Sequence, residues 1–323
     1  MDILIKDMNI DVSIVIVCMN NLKNLYPCLE SIKKYTTVPY ETLVVAYLFS
    51  KENLEKVKKD FPWVTFIESN EIRGFSENNN LALREAKGRY CFVVNDDTYW
   101  SEHLIDELVH GLDALPRHVA VLSPNILKPN GDIQYCGRPK YTLFDFFLEV
   151  IGLDNKYRIN SPYINQQGLF KSYNLMGACF LIRTDIFRNV GWFDEKYFFC
   201  PEDIALSTKL NNSGFECYVN ADYTITHIGG GTRTVSKTSL ATKPAQTRGL
   251  ILFYGENSKL NGILARLIAI ASHGIRFLIL SALCVVRFRR FELSRDAHKN
   301  GLCAAFSDRT PKQLFTKYYK SAR

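Results

Sequence analysis

The chain of 323 residues is 47% hydrophobic and 23% charged, the composition of a globular protein with one large domain or one domain and an appendage. Nine cysteines, an odd number with no C-x-x-C pair, argue against a disulfide framework or a zinc site; Cys18, Cys91, Cys179 and Cys284 lie in apolar runs and fit buried thiols of a cytosolic protein. The net charge of +7 belongs to the tail, since residues 287–323 hold ten Lys/Arg against three Asp/Glu; one end alone suits an acidic partner surface, membrane or nucleic acid.

The N-terminus, "MDILIKDMNIDVSIVIV", has neither a basic n-region nor a small-residue cleavage site, so no secretory signal is expected. "VSIVIVC", Val12–Cys18, predicts a buried strand, and Leu22, Leu25, Leu29 and Ile32 follow at helical spacing. "TLVVAYL" predicts a second strand, "KENLEKVKKDF" an amphipathic helix stopped by Pro62, and "WVTFIES" a third strand. "SENNNLALREAKG" reads as a helix ended by Gly88 and "YCFVV" as the fourth strand; the next helix is expected from its cap Ser101, before "HVAVLSP". Unbroken apolar strands alternating with helices imply an α/β fold with a parallel sheet covered on both faces, in which ligands bind at the carboxyl ends of the strands. Residues 129–173 are less regular, with a "PNGD" turn and the aromatic stretch "YTLFDFFLEVIG", and regular structure returns over 174–233. There are no repeats or low-complexity tracts.

From Gly262 the character changes. "GILARLIAIASHGIRFLILSALCVV" is long enough to cross a bilayer if helical, but Arg266, Ala269, His273 and Arg276 recur at three- and four-residue spacing as one narrow polar stripe. Two arginines make a spanning segment costly. A helix lying in the membrane interface, with "RFRRFE" and the basic tail on lipid headgroups, costs less and is the favoured reading; a helix packed on the body is the alternative.

Three elements carry chemistry. The fourth strand ends in "NDDT", and with Ser101 capping the next helix, Asp96 and Asp97 have no structural task; a divalent cation such as Mg²⁺ or Mn²⁺, which takes carboxylates plus substrate phosphates, would neutralise them. In "FFCPEDIAL", Asp203 is either a helix N-cap or a carboxylate placed as a general base. In "TITHIGGGTR", His227 precedes glycines that permit close backbone approach to phosphate, and Arg233 and Lys237 follow as cations for a diphosphate.

The order of these elements resembles family-2 glycosyltransferases with the GT-A fold, particularly the rhamnosyltransferase-like members that build bacterial surface polysaccharides. The matching segments are "VSIVIVCMNNLKNLYPCLESI", "RGFSENNNLALREAKGRY", "NDDT", "MGACFLIRTDIFRNVGWFDEKYFF", "EDIAL" and "THIGGG", and the resemblance runs from Val12 to Phe306. It implies a Rossmann-like, mostly parallel sheet flanked by helices. Residues 1–255 would be the catalytic domain (10–125 the nucleotide-sugar half, 126–255 the acceptor half) and 256–323 a C-terminal amphipathic, basic, membrane-associating helical appendage. By position, Asp97 and His227 would hold the metal, Mg²⁺ or Mn²⁺, and Asp203 would be the catalytic base, with Glu202 second. Asn79 and Asn80 would line the donor pocket, Asp96 would lie near the ribose or diphosphate, and Asn20, Tyr47, Arg73 and Arg233 complete the expected donor contacts.

The sequence departs from the family after the second strand, where "VVDNxS" is usual: "VVAYLFS" puts Ala46 and Tyr47 there, with no acid, so either Tyr47 stacks on the base instead or donor affinity is low. "EDIAL" has Ala205 where "EDVDL" is common. The implied reaction is inverting transfer from a nucleotide-diphosphate sugar to a hydroxyl of a glycan or lipid-linked glycan, on the cytoplasmic face of the cell membrane. A non-catalytic scaffold in a polysaccharide assembly complex is the alternative. A sugar nucleotidyltransferase would need a glycine-rich loop where "CMNNLKNL" stands, a dinucleotide oxidoreductase needs G-x-G-x-x-G, and no nucleic-acid-binding motif accompanies the tail.

Overall fold

The computed structural model describes residues 10–134, 136–151, 163, 166–229, 238–256, 258–286 and 290–322. Arg233, Lys237 and two of the three expected loop glycines, with Arg287 and Arg289 of the basic segment, lie outside the described residues.

The apolar runs make the sheet. Val12–Cys18 (β1), Tyr40–Tyr47 (β2), Thr65–Ser69 (β3) and Tyr90–Asn95 (β4) are parallel, in the spatial order β3-β2-β1-β4. Consecutive residues such as Ile14, Val15 and Ile16 or Cys91 to Val94 are all buried, so both faces of the sheet are covered. The crossover helices are Leu22–Tyr35 (α1), Lys51–Asp60 (α2) and Phe75–Leu83 (α3), and α1 buries Leu25, Leu29 and Ile32 as their spacing predicts.

The second half adds Thr98–Tyr99 (β5), Leu104–Ala114 (α4), Val119–Leu127 (β6), Ile133–Gln134 (β7), Gly137–Arg138 (β8), Leu143–Ile151 (α5), Leu169–Ser172 (β9), Asn174–Leu175 (β10), Cys179–Arg183 (β11), Thr184–Asn189 (α6), Glu202–Asn212 (α7) and Glu216–His227 (β12). The sheet continues β4-β11-β6-β12-β5, with β11 antiparallel to both neighbours and β12 parallel to β6; β7 and β9 pair with β6 and β12, while β8 and β10 form a separate ribbon. The result is a mixed sheet flanked by helices, the GT-A arrangement. Ser101 does not cap α4: Thr98 and Tyr99 pair with the end of β12, which keeps the chain extended past the acids, and the helix begins at Leu104 behind His103. All nine cysteines are free thiols.

Four helices follow, Ser239–Glu256 (α8), Lys259–Val286 (α9), Glu292–Ala305 (α10) and Pro311–Ala322 (α11). The first three pack on one another, and α11 packs on α8. Helix α9 turns Ala265, Ala269, Ser272 and His273 inward, so the middle of the narrow stripe faces protein rather than water. There His273 and His298 meet with Nδ1 atoms 2.9 Å apart, and Thr247 Oγ1 lies 2.8 Å from His273 Nε2. The opposite face carries Leu260, Ile263, Leu267, Ile275, Leu278 and Val285, with Leu278 67% and Val285 87% exposed. Helix α5 packs beside α9 and adds exposed Phe144 and Phe147.

Candidate active site

The carboxyl ends of β1, β2, β3 and β4 lie along one edge of the sheet, and the same edge receives the start of antiparallel β11 and the end of β12. Asp96 and Asp97 form the turn between β4 and β5. Because β5 pairs Thr98 with His227, and Ile228 N donates to the Asp97 carbonyl at 2.9 Å, the end of β12 is stitched to this turn. The His227 Nε2 atom then lies 3.2 Å from Asp97 Oδ1. The other ring nitrogen, Nδ1, is 3.0 Å from Gln134 Oε1, and Asn95 Nδ2 is 3.5 Å from Nε2.

The two acids are shifted in opposite directions. Burial, then the charge of Asp97, raises Asp96 to about 6, against a hydrogen bond from the Cys18 thiol. Burial also opposes ionisation of Asp97, but the hydrogen bond and charge of His227, with the backbone N–H groups of Asp97 and Gly229, hold its carboxyl below the usual carboxylate range.

The start of α7 reaches the same edge. Asp203 Oδ2 accepts the Gly177 N–H at 3.2 Å, and the next residue, Ala178, accepts Asn95 N–H at 2.9 Å, so one short turn separates the Asp203 carboxylate from the end of β4. Asp203 Oδ1 also accepts Ile204 N–H at 2.8 Å. Glu202 is pushed up to about 8 by burial and then by the Asp203 charge, and its Oε2 accepts the Cys200 N–H. That shift makes Glu202 harder to ionise than an ordinary glutamate and less suited to accept a proton at neutral pH.

The expected donor contacts fall into two groups. Asn20 and Arg73 follow the ends of β1 and β3, Tyr47 is the last residue of β2, and the three share the edge with the acids. Asn20 Oδ1 accepts from Ser50 N at 3.1 Å and Asn53 Nδ2 at 2.9 Å, bracing the loop after β2. Tyr47 is buried, its hydroxyl accepts Arg73 N–H at 3.3 Å, and Arg73 is tethered by Ser69 at 3.1 Å and Glu71 at 3.0 Å. The asparagines of "NNN" brace the interior. Asn79 donates to Phe75 O at 2.9 Å, and Asn80 donates to Phe193 O and Glu195 Oε1, both at 2.9 Å, while accepting Phe193 N–H at 3.2 Å. Both are buried, and the Asn80 amide is committed to protein at its oxygen and its nitrogen.

Asp97 and His227 offer an oxygen and a nitrogen on the same edge as Asp96, whose carboxyl is raised first by burial and then by the charge of Asp97. Among the described residues no three His, Cys, Asp or Glu side chains cluster to hold an ion unaided. That donor set suits Mg²⁺ or Mn²⁺, which complete their shells with substrate phosphates and water. Gln134, Asn95 and Cys18 complete the surroundings of His227 and Asp96, a place that the sequence does not announce for any of them. Gln134 stands on a two-residue strand with no periodic signal, whereas Asn95, beside the acids, was open to notice.

A family model described as Glycosyl transferase family 2 matches residues 13–191, more than half of the chain, and includes both acids but ends before Asp203 and His227. The N-acetylglucosaminyl-diphospho-decaprenol L-rhamnosyltransferase of Mycobacterium tuberculosis is 30% identical over 134 residues, 39% of this chain and 42% of that protein. The O-antigen biosynthesis protein RfbC of Myxococcus xanthus is 24% identical over 166 residues, 48% of this chain and 12% of that protein. The matches therefore span less than half the length of these curated relatives. The mannosyltransferase PcManGT of Pyrobaculum calidifontis, solved with GDP-Man and Mn²⁺, superimposes with a TM-score of 0.51 over 91% of this chain and 85% of that one at 14% identity, a likeness of fold.

Proposed function

Because the chain belongs to glycosyl transferase family 2, we propose that it is a rhamnosyltransferase-like member that moves a sugar, with inversion, from a nucleotide-diphosphate donor to a hydroxyl of a glycan acceptor in surface polysaccharide synthesis. The observation that carries this reading is the meeting, at one sheet edge, of the Asp97–His227 pair and the Asp203 carboxylate. Asp203 accepts the proton of the attacking acceptor hydroxyl, and its two backbone N–H bonds fix the carboxylate for that task. Asp97 and His227 would hold Mg²⁺ or Mn²⁺, and such an ion supplies charge neutralisation for a diphosphate leaving group. Gln134 orients the His227 ring from its far side. Asn20, Tyr47 and Arg73 shape the donor side of the edge, where Ala46 and Tyr47 replace the family's acid.

Incubation with a panel of nucleotide-diphosphate sugars is expected to give slow, Mn²⁺-stimulated donor hydrolysis for one nucleotide. The lack of an acid after β2 favours the second reading, a scaffold that binds donor without turnover; no hydrolysis of any donor, with or without Mn²⁺, would establish it instead.

The acceptor is lipid-linked and the protein works on the inner face of the cell membrane. Helix α9 is the one described helix long and apolar enough to cross a bilayer, and its outward row of Leu, Ile and Val beside Phe144 and Phe147 is an apolar surface of the kind that beds into the acyl boundary. Its opposite face packs on α8 and α10, so α9 lies along the surface. Each buried Leu or Ile contributes about 1.5–3 kcal/mol. Replacing Leu267, Ile275 and Leu278 together with Glu should therefore weaken sedimentation with anionic vesicles by more than ~100-fold. Undiminished sedimentation would defeat the membrane assignment and leave the transfer chemistry standing.

A further inference from the structure

The last helix reaches back to the catalytic edge. Lys312, Phe315 and Tyr319 share one face of α11 by their spacing. Lys312 Nζ donates to Glu77 Oε1 at 2.6 Å, while the other Glu77 oxygen accepts the Gly74 N–H at 3.0 Å and caps α3. The buried rings of Phe315 and Phe198 stand 4.4 Å apart, centroid to centroid. Tyr319 stacks on Phe315 at 5.2 Å and lies within electrostatic range of the Tyr47 hydroxyl. One helix face thus touches the start of α3, at Glu77, and, at Phe198, the segment that leads through Cys200 to Glu202 and Asp203.

Those segments are already in tight register. Phe75 N donates to Phe198 O at 3.0 Å, and a Cβ at Gly74 would fall 2.2 Å from that carbonyl, so only glycine permits the approach. From the other side, a Cβ at Gly249 in α8 would fall 2.4 Å from Cys200 O, and Arg248 Nε donates to Arg309 O at 3.1 Å just ahead of α11. The base-bearing turn is therefore pressed between α3, α8 and α11. It has little freedom while Phe315 fills its place, and a gap on one side when it does not.

We propose that α11 is part of the transfer site, with Phe315 a positioning residue that sets the 198–203 segment, and so Asp203, against the start of α3 at Gly74 and Phe75, which follows the donor-side residue Arg73. The proposal rests on the transferase reading for its meaning, but its first test does not. Amide hydrogen exchange on the full chain, without ligand, is expected to quicken in Phe315→Ala at residues 73–78 and 198–205, the Phe75 amide foremost, while β1 and β4 exchange as before. Exchange unchanged at those segments, or quickened evenly through the sheet, would overturn it. With whichever donor the unsubstituted protein hydrolyses, Phe315→Ala should lower kcat by ~10–100-fold with KM moved less than about threefold. Phe315→Leu, which refills most of the volume, should recover most of that loss; an unaltered kcat in Phe315→Ala would also overturn the proposal. If no donor is turned over at all, the transferase reading falls, while the exchange pattern still decides whether α11 holds the two segments together.

Discussion

In the Asp203→Asn protein, sugar transfer is expected to fall by about 10²–10⁴-fold while the donor binds as before. The Gly177 and Ile204 N–H groups reach separate carboxylate oxygens, at 3.2 and 2.8 Å in the parent, so the single amide oxygen of asparagine keeps one of these two bonds while the ability to take a proton is lost. Glu202 is a poor stand-in at neutral pH, because in the parent burial and then the Asp203 charge raise it to about 8 and Cys200 N–H already occupies one of its oxygens. Removing the Asp203 charge takes away the second of those causes and leaves burial, so Glu202 still ionises later than an ordinary glutamate. Any residual turnover should therefore climb with pH as Glu202 loses its proton. Steady-state kinetics separates the cases: kcat falls with KM unchanged if Asp203 is the base. Turnover within a few-fold of the parent would move the base elsewhere.

The features legible in the sequence were those encoded by neighbours in the chain. Unbroken apolar runs marked β1, β2 and β4, and the sudden change from Val94 to Asn95, Asp96 and Asp97 marked the strand end where the acids stand. What stayed hidden depends on pairing between distant segments. Ser101 had the right chemistry for a cap, but the two-residue strand β5 had to pair with β12 first and delayed the helix. Asn79 and Asn80 fell at a suggestive place in the chain, yet the side of α3 that carries them faces the interior and, through Asn80, the loop at Phe193. In α9 the polar stripe is plain in the sequence but its partners are not: the small and polar residues face α8 and α10, because His273 finds Thr247 and His298 there, and the apolar residues are left outside. A periodic pattern says that a helix has two faces, and only the neighbours decide which one is turned inward.

Asp97→Ala should abolish Mn²⁺-dependent binding of nucleoside diphosphates, lowering the affinity of the ion by at least ~100-fold. In the parent, the Asp97 carboxylate is kept ionised by His227 and by two backbone N–H groups even though burial opposes it, so it is already charged and oriented before any cation arrives. Asp96 is a poor substitute, since burial first and the Asp97 charge second raise it to about 6 and it faces the Cys18 thiol. The substitution has two opposing effects on the unliganded fold: His227 loses its carboxylate partner, and Asp96 loses the repulsion beside it. The melting temperature without metal should accordingly move little, which separates loss of the site from loss of the protein. Free Mn²⁺ counted by electron paramagnetic resonance, in the presence of UDP, GDP, ADP or dTDP, reads the effect without any turnover. Retention of parental Mn²⁺ affinity by Asp97→Ala with the nucleotide that binds would remove Asp97 from the metal site and, with it, the reason two adjacent acids stand at the end of a buried strand.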